Sequence, residues 1–261
     1  CNEQSKCELL HDTLYNASDG TWLEKNNSYD HVFLNEPKKE FNTKCFPKDH
    51  LVIESCANIY SSGEREDGIY TIDPDGQGSF QVRCLMTAQP GGWTMIQRRQ
   101  DGSVDFFRNW TDYKNGFGNL SGEFWLGLDK IHRLTKSGQN VLRIAMTWAE
   151  SSSTVVNYTK FFVSNEDEQY KLHISGYSGS VNDAMEYHSL GEKFYASDKD
   201  NTNRCAKLKQ GGWWYRHCAA TNPNGPYKEN TDGLYWELKK SDEKYIFPKT
   251  FQMMLRPSAE P

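Results

Sequence analysis

Long apolar runs and basic clusters are both missing from this 261-residue chain. The longest apolar-looking stretch, Val141 to Ala149, is interrupted by Arg143, whereas a helix that crosses a bilayer needs about 20 apolar residues. The formal net charge is -5, and binding to nucleic acid depends on a patch of Lys and Arg. The sequence therefore predicts neither membrane insertion nor a nucleic-acid partner.

Motifs of catalysis and nucleotide binding are missing as well. The chain has no Gly-x-Ser-x-Gly, no His-Glu-x-x-His and no Walker loop. Its seven His are scattered, mostly beside polar residues. The chain has 35 Asp and Glu, too many for the sequence alone to single out a catalytic carboxylate pair, and no motif marks one. We therefore expect a protein without enzymatic activity.

Cysteine usage places the chain outside the cytosol. Its seven Cys include no Cys-x-x-Cys pair and no Cys/His group at zinc spacing, so disulfides are the better interpretation. Asn-X-Ser/Thr triplets, the acceptor sequence for N-glycosylation, occur at Asn16, Asn26, Asn109, Asn119 and Asn157. Together these features predict a secreted, extracellular glycoprotein.

The pattern along the chain changes near Cys56. Residues 1–55 hold three Cys and scattered aromatics without sustained helical or strand periodicity, and we expect a segment that docks or links. Residues 56–261 instead show short runs bounded by turn residues, some of them alternating as 141–148 does, and these predict strands. Examples are the runs 93–99, 141–148 and 155–163.

A single stretch after residue 56 has clear helical periodicity. Apolar residues recur on one stripe of Glu123 to Leu134, with Ser121 as the expected N-cap. After about Tyr195 the sequence becomes rich in Asp, Asn and Gly. Strands, one helix and a loop-rich C-terminal third indicate an α+β domain.

Motifs spread over residues 56–257 resemble the fibrinogen C-terminal domain in order and spacing. They are Asp67-Gly68-Ile69-Tyr70, Gly91-Gly92-Trp93-Thr94-Met95-Ile96-Gln97-Arg98-Arg99, Asp101-Gly102-Ser103-Val104-Asp105-Phe106, Glu123-Phe124-Trp125-Leu126-Gly127, Gly212-Trp213-Trp214 and Met254-Leu255-Arg256-Pro257. The resemblance implies a central antiparallel sheet, short helices and a loop-rich C-terminal subdomain. It also implies a recognition function rather than catalysis.

The resemblance further implies two disulfides, Cys56–Cys84 and Cys205–Cys218. The remaining Cys1, Cys7 and Cys45 are odd in number. One interpretation is an interchain bond within a homo-oligomer, because family members commonly assemble through N-terminal segments. The other is a partner Cys that is not part of this chain.

A calcium loop is a second implication of the resemblance. Family members that bind calcium have an Asp-x-Asp-x-Asp loop before the third domain Cys, and here those positions are Asp198, Asp200 and Thr202. A lost carboxylate and a shortened loop both lower calcium affinity. Two interpretations stay open: a weak calcium site and a solvated turn.

Lectin-type members have an acetyl-binding pocket beside the last disulfide, with a cis peptide before its second Cys, here His217–Cys218. This sequence departs from that pattern at several pocket positions. The usual His and Tyr are replaced by Ala219 and Lys209, and the usual Tyr-Ala pair by Asn230-Thr231. Candidates to line a remodelled pocket are Tyr215, Tyr235 and Tyr245, while Trp213 and Trp214 are interpreted as ordinary packing.

Three binding functions follow from the resemblance. The first is a lectin that binds glycans or acetylated compounds, for example in innate defence, through an atypical pocket. The alternative is a receptor-binding or adhesion and matrix module, of angiopoietin-like or tenascin-like type, without lectin activity. A polymerising structural subunit is the third. Fold alone does not decide among them.

Overall fold

The computed structural model describes residues 53–136, 139–149, 152–218, 220–238 and 244–258, together with three short strands near the N-terminus. The chain forms two compact units, residues 1–51 and residues 52–261. In the first unit, strands β1 (Cys7–Glu8), β2 (Thr13–Asn16) and β3 (Thr21–Glu24) pair in sequence order. Both pairings are antiparallel.

The second unit is built on a nine-stranded sheet. Its strands are β4 (Gly68–Ile72), β5 (Phe80–Leu85), β6 (Trp93–Arg99), β7 (Phe117–Gly118), β8 (Phe124–Trp125), β9 (Asn140–Ala149), β10 (Ser152–Val163), β11 (Leu172–Gly179) and β14 (Thr250–Pro257). The main order is β11-β10-β9-β14-β6-β5-β4, with β8 pairing with β6 and β7. All of these pairings are antiparallel.

Short elements complete the second unit. They are helices α1 (Cys56–Ser61), α2 (Trp110–Asn115), α3 (Leu128–Thr135), α4 (Glu186–Ser189) and α5 (Cys205–Leu208), the 3-10 turn Glu166–Glu168, and the strand pair β12 (Trp236–Glu237) with β13 (Tyr245–Ile246). A large antiparallel sheet with a few short helices confirms the predicted α+β fold. Within the described residues, none of the helices has the length and apolarity to cross a membrane.

The last strand is inserted into the middle of the sheet rather than added at its edge. Strand β14 lies between β9 and β6, so Met253 pairs with both Ile144 and Gln97. Strand β9 alternates between fully buried and half-buried residues along its length, as expected for a strand with one face on the core. Arg143, which interrupts the apolar run, is one of the half-buried residues on the outer face of the sheet.

The predicted helix over residues 123–134 is wrong at its N-terminal end. The helix begins at Leu128, because Phe124 and Trp125 pair with β6 as a short strand. Gly127, with a φ of 109°, makes the transition, and a Cβ there would lie 2.6 Å from the backbone of Asn115. Helical periodicity did not reveal that sheet pairing takes the first residues of this stretch.

Residues 195–218 and 220–238 form the C-terminal loops. An aromatic cluster joins the sheet to these loops. Trp214 packs against Trp125 and Phe194, and its indole N–H donates to the carbonyl of Tyr170 at 2.7 Å. The Tyr113 hydroxyl accepts from the amide of Gly212 at 2.8 Å. Trp213 and Trp214 are both fully buried, in agreement with their interpretation as packing residues.

A buried polar network makes the second connection between the sheet and these loops. The Arg99 Nη1 donates to the carbonyls of Pro223 at 2.9 Å and Gly225 at 2.7 Å. Gln97 donates to the side chain of Asn224 at 3.1 Å, and the Asn224 amide donates to the carbonyl of Gly212 at 2.9 Å. Since all these groups are buried, each depends on the others for its hydrogen bonds.

The charge of Arg99 is compensated by Glu123, 3.5 Å from its Nε. Burial lowers the pKa of Arg99, and Glu123 opposes that shift. For Glu123, burial raises the pKa, but backbone N–H donors from the following turn and the charge of Arg99 outweigh burial, so its pKa lies below the usual value. The turn after β6 is thus anchored on one buried carboxylate, which accepts from Gln100, Asp101, Gly102 and Val104.

Candidate functional site

The second disulfide closes the surface at which the sequence predicts ligand binding. Cys205 is bonded to Cys218, and Cys56 to Cys84, the pairs that the resemblance implied. The expectation of a cis peptide at His217–Cys218 is wrong, because the cis bond found in the described residues is Gln89–Pro90. The backbone turns instead through a left-handed conformation at Cys218, with a φ of 53°.

The residues of the predicted calcium loop are engaged with the backbone. The Asp200 carboxylate accepts from the amides of Ala206 and Lys207 at 2.9 Å each, where α5 begins. Asp198 accepts from the amide of Trp110 at 2.7 Å, and Thr202 is exposed. The carboxylate of Asp200 thus caps the amides that a helix start leaves unpaired.

These residues do not form a multidentate metal site in the structure. Among the residues that the structure describes, no group of three or more His, Cys, Asp or Glu is placed to hold a metal ion. Calcium prefers six to eight oxygen ligands, and Asp198 and Asp200 have committed oxygens to amide donors. The geometry gives the calcium interpretation no support.

Tyr215, one of the predicted pocket residues, is an internal part of the fold. Its side chain is buried, and its hydroxyl lies 2.9 Å from the carbonyl of Gly211 and 3.1 Å from Oδ1 of Asn222. Burial raises the pKa of Tyr215 well above its usual value. The ring therefore supports the C-terminal loops from inside and is not exposed to a ligand.

Four other predicted residues do come together, with Tyr235 buried, Lys209 and Tyr245 half-buried and Thr231 exposed. The Lys209 ammonium lies 5.0 Å from the ring centre of Tyr235 and donates to the carbonyl of Thr231 at 3.1 Å. Tyr235 in turn packs edge-to-face on Tyr245, with ring centres 5.4 Å apart. Burial lowers the pKa of Lys209 and raises that of Tyr235. A cation thus covers the aromatic ring at this position.

The remaining pocket positions are spread over exposed turns. His217 is exposed, Cys218 is partly buried, and Ala219 lies outside the described residues. Asn230 is exposed and accepts from the amide of Asp232 at 3.1 Å, which is a local turn contact. Of the predicted pocket, the structure therefore assembles the Lys209 cluster and leaves Tyr215 inside the core.

The glycosylation triplets differ in environment. Asn109 is exposed and caps α2 by accepting from Asp112 at 2.8 Å, and Asn119 is exposed in a turn. Asn157 is half-buried on β10, where it accepts from Arg143 at 3.0 Å. Asn16 is the last residue of β2, and Asn26 lies outside the described residues. N-glycosylation at these positions stays a prediction.

An exposed patch near the second disulfide was not found by sequence reasoning. Tyr187 is 68% exposed and Leu190 is 41% exposed. The backbone carbonyls of these two residues accept hydrogen bonds from the side chain of Arg216, which lies two residues before Cys218 of the second disulfide. Leu208, 65% exposed, lies on α5. A four-residue helix such as α4 has too few residues for a periodicity signal, so burial alone reveals the patch.

Comparison with known proteins identifies the family. The profile of the C-terminal globular domain of fibrinogen beta and gamma chains matches residues 52–258. Rat tenascin-R is 42% identical over 211 residues, which is 78% of this chain and 15% of tenascin-R. The sequence thus corresponds to a small part of that relative.

Comparison with solved structures gives the same family. The fibrinogen-like globe domain of human ANGPTL2 is 37% identical with a TM-score of 0.74, covering 79% of this chain and 100% of that one. A lamprey fibrin D-dimer, complexed with the peptide Gly-His-Arg-Pro-amide, is 30% identical with a TM-score of 0.71, covering 80% and 74% respectively. The chain belongs to the fibrinogen C-terminal domain family, whose tenascin and angiopoietin-like members are extracellular recognition or structural proteins.

Proposed function

We propose that this chain is a secreted, non-catalytic recognition module that binds a protein in the extracellular matrix or on a cell surface. Binding occurs through the exposed side chains around the second disulfide. This is the receptor or matrix function that the tenascin and angiopoietin-like relatives favour. The lamprey fibrin relative, which takes a peptide ligand, supports a protein-derived ligand for this fold.

The observation that carries the proposal is the exposed patch of Tyr187, Leu190 and Arg216, together with the exposed Leu208 on α5, the helix that the Cys205–Cys218 bond ties to the segment after Arg216. Large apolar side chains grouped at a surface mark interaction sites, and Tyr and Arg are enriched among residues that dominate binding energy. Arg216 is oriented by Glu192 at 2.8 Å and by the Tyr187 carbonyl at 3.2 Å. The patch is therefore partly preorganised, which lowers the entropy cost of binding.

The lectin alternative receives less support from the same surface. An acetyl group needs an apolar, aromatic cup, but the Lys209 ammonium covers Tyr235 and Tyr215 is buried. We also propose that one of Cys1, Cys7 or Cys45 links copies of the protein into a covalent homo-oligomer. Calcium is not part of this proposal, since Asp200 serves as a helix cap.

The test is binding of the purified full chain to matrix laid down by cultured cells and to the cells themselves. We expect saturable binding that trypsin treatment of the matrix and cells abolishes and that enzymatic removal of N-glycans leaves intact. Tyr187→Ser and Leu208→Ser should each weaken binding about tenfold, within the range of an interface hot spot. Val155→Ser is the matched control, because Val155 is 43% exposed but lies on β10.

Two results would overturn the protein-binding function. One is calcium-dependent binding of the protein to acetylated saccharides, with no binding to matrix or cells. The other is equal loss of binding in Val155→Ser and Tyr187→Ser, since the patch would then have no special role.

A further inference from the structure

A groove on the outer face of the sheet is separate from the exposed patch around the second disulfide. It has a volume of about 250 Å³ and runs over β6, β9, β10 and β14. The residues that determine its chemistry are Pro90, Trp93, Val141, Arg143, Asn157 and Arg256. The lining combines apolar side chains, among them Pro90, Val141 and Pro257, with polar ones, of which the two arginines carry the charge.

Both arginines in the groove are bonded only to uncharged groups. Arg143 donates to Asn157 at 3.0 Å and to the carbonyl of Gln89 at 2.6 Å. Arg256 donates to the carbonyl of Gly91 at 3.0 Å. Within the described part of the sequence, neither guanidinium takes part in an ion pair. Burial and the neighbouring charge of Arg256 lower the pKa of Arg143.

The sheet itself supplies no carboxylate to balance this charge. Although the chain has 35 Asp and Glu, none occurs in β4, β5, β6, β9, β10, β11 or β14. A second pair of arginines, Arg83 and Arg98, also lies on this sheet, but each interacts electrostatically with a loop carboxylate, Asp67 or Asp101. Within the residues that the structure describes, the pair in the groove therefore differs from the other pair in lacking a counter-charge.

A further donor in the groove, unlike the two arginines, has no acceptor among the described residues. Trp93 is 2% exposed, and its buried indole N–H has no hydrogen-bond partner among the described residues. Arg143 stacks over the same ring, 4.2 Å from its centre. Because buried donors are nearly always paired, a donor without an acceptor beside two unbalanced guanidiniums indicates that an electron-rich ligand completes the site.

We propose that this groove binds the anionic group of an acidic sugar residue, a uronate or a sulfated hexose, of an extracellular polysaccharide. Guanidinium groups recognise carboxylate and sulfate oxygens by charge-assisted hydrogen bonds. The volume of about 250 Å³ is close to the lower limit of ligand sites, roughly 300 Å³, and fits one ring. The apolar walls at Pro90 and Val141 suit the C–H face of such a ring, and the donors suit its oxygens.

The glycosylation triplet at Asn157 affects the design of the test. An N-glycan on Asn157 would attach at the edge of the groove. Thr159→Ala removes the triplet and leaves the Asn157 side chain in place to accept from Arg143. All proteins in the test are therefore full chains with this substitution.

The experiment is titration calorimetry with three probes at physiological salt. They are a heparin-derived hexasaccharide, the same hexasaccharide after desulfation and carboxyl reduction, and hexaglutamate. We expect only the acidic saccharide to bind, and Arg143→Gln and Arg256→Gln each to weaken it about tenfold or more, as for loss of a charge-assisted bond. Arg83→Gln, an identical charge change on the same sheet, should weaken it less than about twofold.

A nuclear magnetic resonance titration gives an independent readout. The acidic saccharide should shift the indole N–H signal of Trp93, assigned through Trp93→Phe, and the neutral saccharide should not. Melting curves identify any variant that fails to fold. If Arg143→Gln fails to fold, Arg256→Gln still tests the proposal. Tyr187→Ser should bind the saccharide normally, so this proposal and the protein-binding function can fail separately.

Three outcomes overturn the proposal. They are no binding of the acidic saccharide, equal binding of hexaglutamate, which would indicate an acidic-peptide site, and equal loss of affinity in Arg83→Gln, which would indicate diffuse charge attraction.

Discussion

The sheet and the C-terminal loops of this domain are ordered by different interactions. In the sheet, seven strands in the main order exchange backbone hydrogen bonds, and every second residue along most of β9 is buried. In the C-terminal loops, regular pairing is limited to isolated bridges and short elements. Their order depends on one disulfide and on buried side chains that bond to the backbone.

This difference matters for recognition. Loops that carry binding residues are usually the less stable parts of a fold, whereas here they are anchored on the sheet through Arg99 and Gln97. Loops held by buried contacts from below can present side chains such as Leu208 and Arg216 with little cost in ordering. Variants that remove one of these interactions at a time test whether the two regions depend on them separately.

The largest effect is expected from Arg99→Met. The substitution removes the donor to the buried carbonyl of Gly225, one of two donors to the carbonyl of Pro223, and the positive charge that faces the buried carboxylate of Glu123. Breaking a buried ion pair from one side costs about 3–5 kcal/mol, which urea unfolding would measure. Arg98→Met is the control on the same strand, since within the described residues the Arg98 side chain makes a single hydrogen bond, to the carbonyl of Ser121 at 3.2 Å. A loss below about 1 kcal/mol for Arg99→Met would contradict the anchoring role.

Removing the second disulfide should have the next largest effect. Cys205 and Cys218 are 13 residues apart, and closing a loop of that length is worth about 3 kcal/mol in the chain-entropy interpretation. The double Ser variant should lose stability by that amount, with hydrogen exchange rising first in the C-terminal loops. The Cys56–Cys84 double variant is the comparison in the sheet half. An unchanged melting temperature in Cys205→Ser/Cys218→Ser would argue against the predicted contribution.

Asp200→Ala should destabilise the protein by about 1 kcal/mol, the usual value of a helix cap. The Asp200 carboxylate accepts from Ala206 and Lys207 at the start of α5. Because this carboxylate is bonded to the backbone, the loss should be equal in calcium and in chelator. A calcium-dependent rise in melting temperature that Asp200→Ala removes would instead establish the calcium site.

The smallest expected effect is a loss of folding stability that occurs only at acidic pH and that arises from protonation of Glu123. Its folded pKa lies below the ordinary value of 4.5, so the folded state favours the ionised form. Its contribution is complete above the unfolded pKa and disappears as the pH falls through the folded pKa. Stability measured from about pH 6 to pH 2 should therefore fall most steeply below about pH 4.5, and Glu123→Gln should flatten that part of the profile. An identical slope in the variant would exclude Glu123 as its source.

The sheet was largely predictable because its signals are local. Strand β6 is Trp93–Arg99, as the Gly residues before it and the turn residues after it predicted, and the resemblance implied both disulfides. The burial of Tyr215 and the cover of Tyr235 by Lys209 were not predictable. They depend on contacts such as that between Tyr215 and Asn222, which no periodicity encodes. The proximity of Arg143 to Arg256 was not predictable either, because it depends on the register between β9 and β14, two strands that are distant in sequence.

Native-state hydrogen exchange of Arg99→Met tests the central claim most directly. The claim is that the buried polar network, rather than backbone pairing between strands, holds the C-terminal loops of the recognition surface in place. We predict that the amides of Asn222, Gly225 and Leu234, which are hydrogen-bonded within the C-terminal loops, lose protection in the variant, while those of β9, β10 and β14 keep it. An equal loss of protection in both regions, or none in the loops, would contradict it.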